Sequence, residues 1–82
     1  TAFMKICRLA EAFNLPVTSH GVHDLTVHLL AAAQRSYLEV HGFGLDRFVA
    51  EKLRMEDGMA IAPERPGHGV ALDEARLAPH RI

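Results

Sequence analysis

The first half of this 82-residue chain alternates between helix-like and strand-like segments, and this order constrains the fold more than any other feature. Apolar residues recur at helical spacing in residues 1–14 and 25–33, whereas β-branched or aromatic residues mark residues 16–20 and 36–41. Helices that alternate with strands are typical of parallel βαβ units. A parallel crossover needs a dozen or more residues, and the segment between the two strands supplies that length. We therefore predict an α/β fold of order helix, strand, helix, strand.

Helical spacing also predicts which side chains face the core. The predicted inward faces are Phe3, Ile6, Ala10 and Phe13 on the first helix, and Leu25, Leu29 and Ala32 on the second. Cys7 lies beside the first face, where we expect a small buried apolar side chain and not a nucleophile. Asn14 and Pro16 are expected to end the first helix, and Asp24 is expected to cap the second.

The second half of the chain predicts a β-hairpin followed by a short helix. Apolar residues 53–55 and 59–61 flank a three-residue loop, Glu56-Asp57-Gly58, with glycine in the left-handed position. The predicted cross-strand pairs are Met55 with Met59 and Leu53 with Ile61. Residues 73–82 are expected to form a short helix that Pro79 stops.

Composition and charge exclude several classes of protein. Nine Lys and Arg against ten Asp and Glu give a net charge of −1, which argues against a nucleic-acid partner. The apolar runs are far shorter than the ~20 residues that a membrane span needs. The one cysteine excludes an internal disulfide framework and fits a reducing, cytoplasmic compartment. No signal peptide is evident, and the start at Thr1 indicates a piece of a longer protein.

Two parallel strands and two helices cannot close a core by themselves. A parallel sheet buries both of its faces, and here both outer strand edges would stay open. We therefore expect either a homo-oligomer or a slice of a larger α/β fold.

Functional side chains of parallel α/β folds collect at the carboxyl ends of the strands. His20 ends the first predicted strand, and Glu39 lies near the end of the second. Adjacent strands lie about 4.8 Å apart, so the two side chains could flank one small substrate. Histidine titrates near neutral pH and suits proton transfer, and a protonated carboxyl can donate a hydrogen bond to developing negative charge. The alternative is a strand-terminal histidine and a solvated glutamate without a joint role.

A second group of histidines resembles a metal-binding string. His20, Asp24 and His28 would share one face if a single helix carried all three. Gly21 and the predicted cap argue that the helix starts later, and no second Cys or His cluster completes a zinc set. We expect His28 to pack inside, with one ring nitrogen bonded to a backbone carbonyl.

Several segments resemble the enolase superfamily, in its mandelate racemase and muconate lactonizing enzyme group. They are Leu9-Ala10-Glu11-Ala12-Phe13, Leu15-Pro16-Val17-Thr18-Ser19-His20, His28-Leu29-Leu30-Ala31-Ala32, Tyr37-Leu38-Glu39-Val40-His41, Glu56-Asp57-Gly58 and Pro66-Gly67-His68-Gly69. The resemblance implies the carboxyl-terminal portion of a TIM-type (β/α) barrel that carries a separate α+β capping domain. Residues 1–48 would be the last βα units of the barrel, and residues 49–82 a tail that returns toward the cap.

The same resemblance implies a chemistry. His20 matches a general base that removes the proton α to a carboxylate, and Glu39 matches a residue that hydrogen-bonds the substrate carboxylate as it becomes an enediolate. The group uses Mg²⁺ held by three carboxylates on earlier strands, none of which is in this chain. The implied enzyme is an acid-sugar dehydratase or a 2-hydroxy-acid racemase that acts on a small carboxylate. The 82 residues alone would be inactive.

Two other interpretations stay open at this point. The chain is either a truncated, non-catalytic product or a small His-rich metal-binding or interaction module. Stoichiometric zinc in the purified chain would support the second.

Overall fold

A computed structural model describes all 82 residues, Thr1–Ile82. In chain order, the elements are α1 (Ala2–Ala12), β1 (Val17–Thr18), α2 (His23–Ala31), β2 (Ser36–Tyr37), β3 (Arg54–Glu56), β4 (Met59–Ile61) and α3 (Glu74–Leu77). Two 3₁₀ turns, Leu45–Arg47 and Ala78–His80, lie outside these elements. The predicted order of helix, strand, helix and strand, followed by a hairpin, is confirmed.

Strands β1 and β2 form a parallel pair, as the alternation of elements predicts. Val17 is opposite Ser36, and Thr18 is opposite Tyr37. The amide of Val17 also donates to the carbonyl of Arg35, at 2.9 Å. Each strand has only two regular residues, so both strands are shorter than the predicted segments 16–20 and 36–41.

Helix α1 buries a narrower face than predicted. Cys7 is its one buried side chain, which confirms the expectation for the thiol, whereas Ile6 is 62% exposed and Phe13 70%. The prediction that Ile6 and Phe13 face inward is therefore wrong for this chain, because a two-strand sheet covers only part of the helix's apolar stripe. Asn14 adopts a positive φ of 58° directly after the helix, as expected of the residue that ends it.

Helix α2 starts earlier and turns a different face inward than predicted. It begins at His23, its N-terminal flanking residue is Val22, and Asp24 makes no capping hydrogen bond. The buried side chains are His23, Asp24, Val27 and Leu30. The predicted inward residues Leu25, Leu29 and Ala32 are exposed, since this helix is apolar on several sides and periodicity cannot choose between them.

The β3–β4 hairpin has a two-residue loop, so its predicted register is wrong. Asp57 and Gly58 both have positive φ, 50° and 74°, which is the conformation of a tight type I′ turn. Met55 is consequently opposite Ala60, not Met59. A one-residue change in register moves every side chain of a strand to the other face. Met55 and Met59 therefore lie on opposite faces of the hairpin.

The end of the chain returns to the segment that precedes the hairpin. Val49, which is 2% exposed, forms an antiparallel bridge with Leu72. The amide of Ala50 donates to the carbonyl of Ala71, at 2.8 Å. Helix α3 starts where predicted, because the Asp73 carboxylate accepts hydrogen bonds from two amides of its first turn.

The buried interior is small. Nine of the 82 residues are buried, and four of them, Cys7, Val27, Leu30 and Val49, form the apolar core. Many large apolar side chains stay exposed, as expected of a parallel pair with open faces. None of the helices is both long and apolar enough to span a bilayer.

Candidate active site

The residues that follow β1 and β2 meet at one end of the parallel pair. The backbone amide of Gly21, which follows His20, donates a 2.6 Å hydrogen bond to Oε2 of Glu39. The amide of Glu39 in turn donates to Oγ of Ser19, at 3.4 Å. A bond from an amide to a carboxylate is stronger than one between neutral groups. These contacts fix the Glu39 carboxyl group beside the backbone that carries His20, and both side chains are exposed to solvent.

The loops after the two strands each contain a pair of residues in the left-handed conformation. Gly21 and Val22 have φ of 66° and 46°, and Phe43 and Gly44 have φ of 52° and 85°. Such a conformation is strained for a β-branched or bulky residue, at a cost of about 1–3 kcal/mol. Strain of this kind clusters at functional sites, and here the two strained residues are Val22, two positions after His20, and Phe43, whose ring contacts His20.

The aromatic ring of Phe43 joins the two loops. It makes edge-to-face contacts with the imidazole of His20, at 6.1 Å between ring centroids, and with that of His41, at 4.5 Å. Its amide donates to Nδ1 of His41, at 3.4 Å. The ring also lies directly against Gly21, where a β-carbon would overlap it, at 2.8 Å from Cζ. The absence of a side chain at Gly21 therefore allows the ring to reach His20.

A buried histidine–aspartate pair lies behind the site. Nε2 of His23 is 3.4 Å from Oδ2 of Asp24, and the two side chains are 10% and 6% exposed. Nδ1 of His23 and Oδ2 of Asp24 lack hydrogen-bond partners, and a β-carbon at Gly42 would lie 3.1 Å from His23 Cε1. The pair thus packs against the loop that carries Phe43. The sequence reading missed this pair because it treated Asp24 as a helix cap.

The histidine string does not form a metal centre. Nε2 of His28 is 2.8 Å from the carbonyl oxygen of His68, the expected kind of partner, but the side chain is half-buried and not packed inside as predicted. His20 precedes α2, and Asp24 pairs with its neighbour His23. No group of three or more His, Cys, Asp or Glu side chains is arranged to hold a metal ion. The residues of this chain therefore do not fit a Mg²⁺ site, and the metal-binding module has no support from the geometry.

None of the concave surfaces of the chain includes His20 or Glu39. The largest cavity, of about 600 Å³, is lined by the outer residues of the hairpin strands and the segments that flank them, among them Glu51, Arg54, Ile61 and Arg65. Neither of the two smaller cavities includes His20 or Glu39. Within this chain, His20 and Glu39 therefore lie on an open surface and not in a cavity.

The sequence predicts His20 and Glu39 as site residues but does not predict the two residues with a strained backbone, Val22 and Phe43. The only sequence feature that points to Phe43 is its place between Gly42 and Gly44. The contact with His20 depends on how the two loops pack, and helical or strand periodicity contains no information about that packing.

Comparisons with known proteins agree on one family. A family model described as "Enolase C-terminal domain-like" matches residues 1–76. A solved structure, titled as a racemase from Streptomyces coelicolor A3(2) with bound magnesium, superposes with a TM-score of 0.79 at 52% sequence identity. That superposition covers 94% of this chain and 21% of the solved chain.

Two curated relatives are enzymes of acid sugars by name. The chain is 58% identical over 78 residues to 3,6-anhydro-alpha-L-galactonate cycloisomerase from Streptomyces coelicolor, a match that covers 94% of this chain. It is 33% identical over 88 residues to the D-galactonate dehydratase family member ManD from Chromohalobacter salexigens, a match that covers 95% of this chain. The chain spans 22% of the length of each relative.

Proposed function

We propose that this chain, which belongs to the enolase superfamily, supplies the proton-abstracting residues of an enzyme that acts on acid sugars. Its family is the one described as enolase C-terminal domain-like. The complete protein would remove the proton α to the carboxylate of such a sugar. Dehydration, racemisation or cycloisomerisation would follow from the common intermediate. The identity to the cycloisomerase and to the dehydratase family supports this substrate class.

The single observation that carries the proposal is the hydrogen bond from the amide of Gly21 to Oε2 of Glu39, at 2.6 Å. The bond places the carboxyl group of one strand end beside the residue that follows the imidazole of the other. A base and an acid on neighbouring strand ends can act on the same small carboxylate. The alternative, a solvated Glu39 without a joint role, does not predict a hydrogen bond to the backbone next to His20.

His20 is proposed to act as the general base. A proton α to a carboxylate is very weakly acidic, so its removal needs a base in contact with the C–H bond. The imidazole nitrogen takes the proton, and the electron pair of the broken C–H bond moves into the carboxylate. The product is an enediolate with two negatively charged oxygens.

Glu39 is proposed to stabilise that enediolate by hydrogen bonding. Its Oε2 accepts from Gly21, while Oε1 has no hydrogen-bond partner within the chain. A carboxyl group that carries its proton on Oε1 donates a hydrogen bond to the substrate carboxylate, and this bond strengthens as negative charge develops.

The intermediate can react further in ways that these residues alone do not decide. Delivery of a proton to the opposite face of the α-carbon inverts its configuration, and departure of a group from the β-carbon gives elimination. His20, protonated after the first step, can give its proton to the group that leaves the β-carbon, whereas inversion needs a proton donor on the opposite face of the substrate. Specificity between sugars would depend on parts of the complete protein that face His20 and Glu39 from the open side of the site.

The proposal extends to the rest of the protein. Residues 1–48 would be the last βα units of a barrel, and residues 49–82 a tail toward a capping domain. These 82 residues hold no magnesium site, so Mg²⁺ in the complete protein would be bound by residues outside them. The exposed faces around α1 and β2 fit contacts with the remaining barrel or with a second subunit of a cytoplasmic homo-oligomer.

The test uses the complete protein that contains this chain, in D₂O. Proton NMR follows the α-proton of 3,6-anhydro-α-L-galactonate, D-galactonate and D-mannonate. We expect the wild-type protein to exchange or convert at least one of them and the His20→Asn variant to lose that reaction. The 82-residue chain alone should show no exchange.

Two outcomes would refute the proposal. One is unchanged α-proton exchange in the His20→Asn variant, which would exclude His20 as the base. The other is loss of exchange in an Asp57→Asn variant of the hairpin turn, because Asp57 makes no hydrogen bond to His20 or Glu39 and the loss in His20→Asn would then not be specific to the proposed base.

A further inference from the structure

Phe43 contacts the proposed base from the opposite strand-end loop. Its ring meets the His20 imidazole edge to face, with 75° between the planes and 6.1 Å between the centroids. Aromatic rings attract one another in this geometry at separations of 4.5–7 Å. The contact therefore favours one orientation of the imidazole, which otherwise projects into solvent.

The ring itself is held in place from its other side. His41 packs edge to face against it at 4.5 Å and accepts the Phe43 amide hydrogen at Nδ1. The backbone of Phe43 has φ of 52°, although a bulky residue rarely adopts that conformation. Since 64% of Phe43 is exposed, burial of its ring does not explain the strain. With the backbone in this conformation, the ring of Phe43 contacts His20 and Gly21.

We propose that Phe43 is a positioning residue: its ring orients the His20 imidazole for proton abstraction and shields one side of it from water. This inference rests on the proposed function, because it takes His20 as the base. Gly21 is the second part of the device, since any side chain there would displace the ring. Phe43 touches no reacting atom and acts only through His20.

The first test measures kinetics of the complete protein with 3,6-anhydro-α-L-galactonate and its α-deuterated form. We expect Phe43→Leu to lower kcat about tenfold to a hundredfold, the effect of a base displaced by about 1 Å, with little change in KM. The kinetic isotope effect should rise, because C–H cleavage becomes slower relative to the other steps. A loss of folded protein would lower kcat without a change in the isotope effect.

Phe48 provides a matched control. Its ring makes the same kind of edge contact with a histidine, His80, at 5.2 Å between centroids, but lies in the segment that packs against the end of the chain. Phe48→Leu removes a contact of the same type and should leave the isotope effect at the wild-type value. An equal rise in both variants would overturn the inference.

The glycine gives an independent test of the same contact. Gly21→Ala adds a methyl group where the ring lies and also strains the backbone, which has φ of 66°. The backbone strain is the same whatever residue occupies position 43, whereas the clash requires the phenylalanine ring. We therefore expect Gly21→Ala to lower kcat much less in the Phe43→Leu background than in the wild type. Equal effects in the two backgrounds would contradict the positioning role.

A chemical measurement needs no substrate. Diethyl pyrocarbonate modifies exposed imidazoles, and peptide mass spectrometry reports the rate at each histidine. Phe43→Leu should accelerate modification of His20 several-fold and leave His68 unchanged. An unchanged rate at His20 would overturn the inference even if no sugar tested is a substrate.

If His20→Asn retained α-proton exchange, the proposed function would fail, whereas a wild-type isotope effect in Phe43→Leu would refute only the role of Phe43.

Discussion

Removal of the Glu39 carboxylate should loosen the loop that follows β1. The amide of Gly21 is buried and donates its hydrogen bond to Oε2 of Glu39, at 2.6 Å. Hydrogen bonds to charged groups contribute roughly 1.5–3 kcal/mol, and we take the lower end because water competes for this exposed carboxylate. Loss of about 1.4 kcal/mol corresponds to about a tenfold change in an opening equilibrium. Glu39→Ala should therefore accelerate hydrogen exchange at Gly21 about tenfold.

The glutamine variant separates the hydrogen bond from the charge. Glu39→Gln keeps an oxygen that can accept from Gly21, but a neutral bond is worth roughly half of a charged one. We expect about a threefold acceleration, between wild type and Glu39→Ala. Hydrogen–deuterium exchange of the complete protein, read by mass spectrometry on peptides that cover residues 20–24, measures the three rates. The conditions are chosen so that the loop closes faster than the open amide exchanges, because the exchange rate then reports the opening equilibrium.

A matched glutamate on the hairpin controls for general effects of the substitution. Glu56 is exposed and forms an ion pair with Arg54, and it makes no hydrogen bond to the loop that follows β1. Glu56→Ala should leave exchange in residues 20–24 unchanged. Equal exchange rates in wild type and Glu39→Ala would refute the reasoning, since they would mean that the Gly21–Glu39 bond does not hold the loop.

Three further substitutions test the scaffold by chemical unfolding of the complete protein. Val49→Ala removes two methyl groups from a side chain that is 2% exposed and should lower the free energy of unfolding by about 2 kcal/mol; no change would contradict its place in the core. Asp73→Ala should cost about 1 kcal/mol by removing the cap of α3, and Asp73→Asn should retain most of that stability; equal loss in both variants would argue against capping. Gly58→Ala should cost about 1 kcal/mol through its φ of 74° alone, because a β-carbon there meets no atom, while Gly58→Asn should cost less; a stabilising Gly58→Ala would exclude the type I′ turn.

The order of the elements follows from local features of the sequence. Pro16 and Gly21 limit the first strand segment, and Asn14 takes the left-handed conformation that ends α1. These residues act through their own backbone preferences, so the sequence predicts their effect without knowledge of the tertiary contacts. The parallel pairing of β1 with β2 then follows from the helix between them.

The errors have physical causes of two kinds. The predicted register of the hairpin is wrong although the sequence contains the signal for the observed one. An Asp-Gly pair favours a two-residue loop, and Asp57 adopts the positive φ that such a loop requires. The inward face of α2 was wrong because Leu25 and Val27 are both apolar and lie on different sides of the helix. Which side is buried depends on the neighbouring elements, and periodicity does not contain that information.

In the candidate site, too, local sequence predicts some features and tertiary packing decides the others. His20 and Glu39 were selected by the general rule that functional side chains collect at strand ends, and that rule needs only the positions of the strands. The positions of Val22 and Phe43 depend on strained backbone conformations, with φ of 46° and 52°. Residue preferences oppose these conformations, so the sequence argues against them.

The most direct measurement is a crystal structure of the complete protein with an unreactive analogue of its acid sugar, in which a methyl group replaces the α-hydrogen. We expect an imidazole nitrogen of His20 to contact that methyl group, at about 3.5–4.0 Å. We also expect a hydrogen bond of about 2.5–3.0 Å from the Glu39 carboxyl group to the analogue's carboxylate. An analogue bound with its α-carbon away from His20, or with its carboxylate out of reach of Glu39, would contradict the proposed roles of these two residues.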